Sequence, residues 1–103
     1  RTPFTMHWYE STGRQRLAQA GTAIVVAAHA DTAPSGGSAF VTVTAERDGS
    51  GVQEVALRLF HNGRRFAEER LNQPVLGGSW IGATVTTASG AANVSIALVV
   101  RGG

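Results

Sequence analysis

The chain is written largely in short apolar and polar alternations separated by clusters of turn-forming residues. From Ala39 to Glu46, Val41, Val43 and Ala45 take one parity and Thr42, Thr44 and Glu46 the other, the period of a half-buried antiparallel strand. Arg47-Asp-Gly-Ser-Gly51 supplies a Gly-rich turn. Glu54 to Phe60 then sets Val55, Leu57 and Leu59 on one face and Glu54, Ala56 and Arg58 on the other, so the two segments predict a hairpin. Thr22 to Ala30 differs: Ile24, Val25 and Val26 are apolar on both parities, which predicts a central strand or an interface strand covered on both faces. Between these strands, Thr32-Ala-Pro-Ser-Gly-Gly-Ser38 reads as a loop.

Asn62-Gly63 stands between alternating segments, the signature of a type I′ hairpin, whose two central residues both need φ > 0. Counting back pairs His61 with Arg64 and Leu59 with Phe66, and brings Glu69 diagonal to Arg58 as a cross-strand charge pair. The same register places Glu68 opposite Leu57 on the core face, which predicts a bulge near Ala67 to Glu69; the parity of Leu71 points to the same irregularity. Asn72 to Gly78 is expected to be a loop, with Pro74 ending the pairing. Ser79 to Thr87 sets Ile81, Ala83 and Val85 against Trp80, Thr84 and Thr86, and Ala88-Ser-Gly-Ala91 turns the chain. In the last segment Ala92, Val94, Ile96, Leu98 and Val100 oppose Asn93, Ser95 and Arg101.

Residues 1–21 read as a polar lead-in or arm carrying the aromatic cluster Phe4, His7, Trp8 and Tyr9, with a possible helical turn over 14–20. The expected organisation is this arm followed by one domain over 22–103. The fold class is all-β, an antiparallel β-sandwich or jelly roll of about six to eight short strands.

Composition narrows the function classes. In 103 residues, 43% hydrophobic and 16% charged, the chain is too apolar for disorder and has room for one modest core. No apolar run approaches the roughly 20 residues of a spanning helix, and the first residues lack the apolar stretch of a signal peptide. With no cysteine there is no disulfide framework and no thiolate zinc site. All the basic residues are Arg, but the net charge is only +2 and glutamates lie among the arginines. That is not the one-sided basic face of a nucleic-acid binder, so neither nucleic acid nor membrane is an expected partner.

The chemistry-bearing residues do not assemble into a catalytic motif. There is no Gly-x-Ser-x-Gly elbow, and His7, His29 and His61 lack the spacing that would put them on one metal. His29 reads as a partly buried structural histidine and His61 as solvent-exposed. Adjacent Glu68 and Glu69 face opposite sides of a strand, and the Gly-Ser-Gly and Gly-Gly segments lack phosphate-loop spacing. No enzyme, metal or cofactor is expected. The aromatic residues are the candidates for binding. Phe4, His7, Trp8 and Tyr9 would anchor onto a neighbouring subunit, with Arg14 and Arg16 as polar contacts, unless this segment simply forms the first strand. Trp80 is either a core residue or a stacking platform for a sugar.

The run Val55-Ala-Leu-Arg-Leu-Phe-His-Asn-Gly-Arg-Arg-Phe66, flanked by Thr/Val/Ala-rich strands and the final Ala-Asn-Val-Ser-Ile-Ala-Leu-Val-Val strand, resembles the small β-sandwich or jelly-roll modules of tailed-bacteriophage virions. Such modules occur in capsid decoration proteins, tail proteins and fibres. The resemblance covers residues 22–101 in style and implies a non-catalytic structural role in a virion. It further implies homo-oligomers, trimers foremost, contacts to other virion proteins, and an arm gripping a neighbour. The same hairpin style occurs in carbohydrate-binding sandwiches, so carbohydrate is the alternative partner, and no family site residue carries over.

Overall fold

The computed structural model describes residues 2–10, 13–86 and 90–102. Eight strands follow one another: β1 (Pro3–Tyr9), β2 (Arg14–Arg16), β3 (Gly21–Thr32), β4 (Ala39–Glu46), β5 (Val52–Phe60), β6 (Phe66–Val75), β7 (Trp80–Val85) and β8 (Ala92–Gly102). They form two four-stranded sheets, A in the order β1-β8-β3-β6 and B in the order β2-β7-β4-β5. Every paired neighbour is antiparallel. The pairings nest, first strand with last and fourth with fifth, which is the winding of a jelly roll. Every connection except β4–β5 therefore leads from one sheet to the other. The all-β sandwich expected from the alternation is the fold.

Alternation explains the interior. Val94, Ile96, Leu98 and Val100 of β8 and Val41 and Val43 of β4 are buried, and their sequence neighbours point outward. The central strands β3 and β4 contribute Ala23, Ala28, Ala30, Ala39 and Ala45 to the core, small enough for the sheets to approach. The large rings inside come from edge strands: Trp8 of β1, 3% exposed, and Phe60 of β5, fully buried. Each ring is therefore buried from the edge of its sheet. A polar contact accompanies each seam. The Gln15 side-chain amide of β2 donates to the His7 carbonyl of β1, and Arg58 of β5 pairs with Glu69 of β6 at 3.7 Å.

Four expectations are corrected. Residues 3–9 and 14–16 are not an arm: β1 pairs with β8 along its whole length and β2 pairs with β7, so the lead-in completes both sheets. Buried Met6 and Trp8 share one parity of β1, and their burial holds the segment down. The stretch 14–20 contains strand β2 rather than a helical turn. The Asn62-Gly63 turn does not make a hairpin. Arg64 N–H donates to the His61 carbonyl at 3.0 Å, but only Gly63 has positive φ, 78°, so the turn lacks type I′ geometry. It carries the chain from sheet B to sheet A, tied to the β3–β4 connection by Gly63 N–H to the Pro34 carbonyl and to the end of β3 by Ala30 N–H to the Arg65 carbonyl, both 2.8 Å. Pro74 does not end the pairing, because β6 continues to Val75 along a free sheet edge, where a missing N–H costs little.

The β4–β5 hairpin forms as expected, but a bulge at Val43/Thr44 changes the face of β5. Val55 and Ala56 are both buried, Leu57 is turned out, and Arg58 shares the inward face of its partner Val41. The bulge expected near Ala67 lies further on, where β6 passes from Arg70 to Gln73 against Val25 and Ala23. Thr87, Ala88 and Ser89, at the end of the expected strand Ser79 to Thr87 and in the turn after it, lie outside the described residues.

Two measurements check this architecture. A chain lacking residues 1–12 loses Trp8 and an edge strand of sheet A, and we expect its urea denaturation, followed by circular dichroism, to lose the cooperative transition; an unchanged midpoint would restore the arm. Gly21→Ala places a Cβ 2.7 Å from Val100 Cγ1 and 3.0 Å from the Arg101 carbonyl oxygen. It should lower stability by about 1–3 kcal/mol.

Candidate binding surfaces

Because both inner faces are spent on the core, the outer faces of the sheets and the ends of the sandwich carry whatever the chain uses to bind. On sheet B, β2 runs beside β7 with Arg16 opposite Trp80 and Arg14 opposite Gly82. Ile81 and Ala83 point inward, so Trp80, Gly82 and Thr84 face out. Both guanidinium groups lie over the Trp80 ring, at 5.3 Å for Arg14 and 5.4 Å for Arg16, and Arg14 also reaches Glu46 at 3.3 Å. Cation–π contact thus joins residues that the sequence had assigned to separate roles. Gly82, lacking a side chain, floors a shallow groove of about 250 Å³ lined also by Arg14, Thr44 and Thr84.

Sheet A presents a different chemistry. Its central strands β3 and β8 carry Val25, Ala27, Ala97 and Val99 on the outer face, each partly exposed. Around them stand His7, Tyr9, His29, Ser95 and Phe66. Tyr9 is 53% exposed and Phe66 57%. A depression of about 220 Å³ lies across the middle of this face, between His7, His29 and Phe66. The Tyr9 hydroxyl donates to Asn93 Oδ1 at 2.9 Å, and the Glu10 carboxylate accepts from the Asn93 N–H at 3.0 Å, fixing this end of the face.

The expected anchor cluster is therefore divided. Trp8 is a core residue, buried on the inner face of sheet A. Phe4, 45% exposed, lines a cavity of about 340 Å³ at one end of the sandwich with Leu17, Ala20 and Gly102. His7 and Tyr9 belong to the outer face of sheet A, while Arg14 and Arg16 belong to sheet B with Trp80. His29, expected to be partly buried, is exposed, because its parity is that of Ala27 on the outer face. Glu69 does pair with Arg58, but between the sheets rather than across a hairpin. Among the described residues no three His, Cys, Asp or Glu side chains group as a metal site.

The sequence reading missed Phe66, Ala97 and Val99 as surface residues. The signal for the last two was present: the run Ile96 to Val100, like Ile24 to Ala28, is apolar on both parities although each strand has only one face on the core. Comparison with protein-family models, curated proteins and solved structures gave no match.

The two tryptophans provide a check. Trp80→Phe leaves only Trp8, whose emission we expect to be blue-shifted and shielded from acrylamide; ready quenching would contradict the burial. Trp80→Ala removes the platform of two guanidinium groups, and we expect a loss of about 1 kcal/mol in chemical denaturation.

Proposed function

We propose that this chain is a non-catalytic structural protein that works by assembly, in the manner of a capsid decoration or tail-associated module of a virion. The observation that carries the reading is the surface that a completed sandwich leaves uncovered. Tyr9 and Phe66 stand over an apolar centre on sheet A, and Phe40 and Leu57 are exposed on sheet B. An exposed apolar patch rimmed by polar groups on a folded domain is the mark of a protein–protein surface. The rigid two-sheet frame and the jelly-roll winding suit a building block, and the resemblance in style to phage virion modules points the same way.

The test is co-sedimentation. Particles from a lysate of the source should carry the chain through a density gradient, detected by mass spectrometry in the particle band. Recovery only in the free-protein fractions contradicts the reading.

A carbohydrate-binding role draws on one observation, the groove beside Trp80 with the hydroxyl-bearing side chains of Thr44 and Thr84. Glycan-array binding that disappears in Trp80→Ala would favour it; an array without signal removes it.

A further inference from the structure

The geometry points to a second copy of this chain as the occupant of the outer face of sheet A, packed face to face about a two-fold axis that runs along the strands between β8 and β3. This rests on the assembly reading and names its first partner.

The argument is one of register. Antiparallel pairing sets the outward side chains in rows across β1, β8, β3 and β6. One row reads His7, Ala97, Ala27, Glu68. The row on one side reads Thr5, Val99, Val25, Arg70, and on the other Tyr9, Ser95, His29, Phe66. Rotation about an axis along the strands exchanges left and right within each row. It lays β8 on the partner's β3 and β1 on the partner's β6.

Most of the facing pairs are then complementary, with Arg70 set against the partner's Thr5 at the rim. In the central row Ala97 lies over the partner's Ala27, small against small, which lets the sheets close to the roughly 10 Å of face-to-face packing. At its ends the His7 imidazole faces the carboxylate of the partner's Glu68. In the next row Val99 covers the partner's Val25. In the third, Tyr9 meets the partner's Phe66, two half-exposed rings, and the Ser95 hydroxyl meets the imidazole of the partner's His29. Symmetry repeats every contact, as an isologous interface requires.

Charge selects this axis over the other in-plane two-fold. An axis across the strands would set β6 on the partner's β6 and stack Glu68 on its own copy, like charge on like. The face also has the needed extent. Four strands about 4.8 Å apart and roughly nine residues long span on the order of 600 Å² in projection, and side-chain relief brings that near the roughly 800 Å² per partner of a standard interface. An isologous contact of this kind closes as a dimer and does not build the trimer expected from the resemblance.

The test uses the absence of cysteine. Light scattering should find a dimer. Val25→Cys and Val99→Cys chains, each oxidised alone, should stay uncrosslinked, and their mixture should form disulfide-linked dimers, because each valine faces the other and not its own copy. Ala97→Arg should give a monomer whose denaturation midpoint no longer depends on protein concentration and matches that of the wild-type chain diluted until it dissociates. His7→Glu should weaken the dimer about tenfold or more, and adding Glu68→His to the same chain should restore it. A monomer at millimolar concentration, or crosslinking in either single-cysteine chain alone, overturns the proposal. A monomer that still co-sediments with particles defeats this inference alone; a dimer absent from particles defeats only the virion reading.

Discussion

Two four-stranded sheets must close over an interior built mainly of alanine and valine, and the rest of the molecule depends on how they do so. Small side chains on β3 and β4 let the middle of the sandwich close. The large rings, Trp8 and Phe60, are buried from the edge strands β1 and β5. Burial of rings this large is worth several kcal/mol each, judged by what their truncation costs in other cores. Edge strands, ordinarily the weakest part of a sheet, are thereby anchored from inside. The Arg58–Glu69 pair adds an inward-turned charge at the β5/β6 seam, a known guard against pairing with a foreign strand.

This division of labour decides what remains for binding. With both inner faces committed to the core and the seams latched, partners have the outer faces and the sandwich ends. The two outer faces are not alike. Sheet B carries a tryptophan under two arginines and a threonine-lined groove. Sheet A carries an apolar centre of alanine and valine with aromatic and histidine side chains around it.

Most of the fold was legible in the sequence because period-two alternation records which side chains point inward. β4, β7 and β8 were read with their inward sets correct for that reason. Alternation does not record which strand is the neighbour, and there the reading failed. Asn62-Gly63 marks a real turn, yet a turn residue cannot tell a hairpin from a crossing between sheets, a choice made by the pairing of β5 with β4 and of β6 with β3. The β5 bulge escaped for a related reason: one extra residue, Val55 opposite Val43/Thr44, is invisible to local pattern but reverses Leu57 and Arg58. The aromatic cluster near the start was recognised as important, but its residues divide by parity, Trp8 to the core and His7 and Tyr9 to the surface. The outer face of sheet A was half legible, since the doubled apolar pattern of β3 put apolar side chains on both of its sides, and Val25 and Ala27 stand partly exposed on the outer one.

The account rests on the claim that the outer face of sheet A is covered by another copy. Amide chemical shifts of the isotope-labelled chain, followed by nuclear magnetic resonance over serial dilution, test it directly. The account predicts concentration-dependent shifts confined to Thr5 to Tyr9, Val25 to His29, Phe66 to Arg70 and Ser95 to Val99, with Arg16, Trp80 and Thr84 unmoved. Shifts centred on the Trp80 face, or none at all with the relaxation of a monomer, would contradict it.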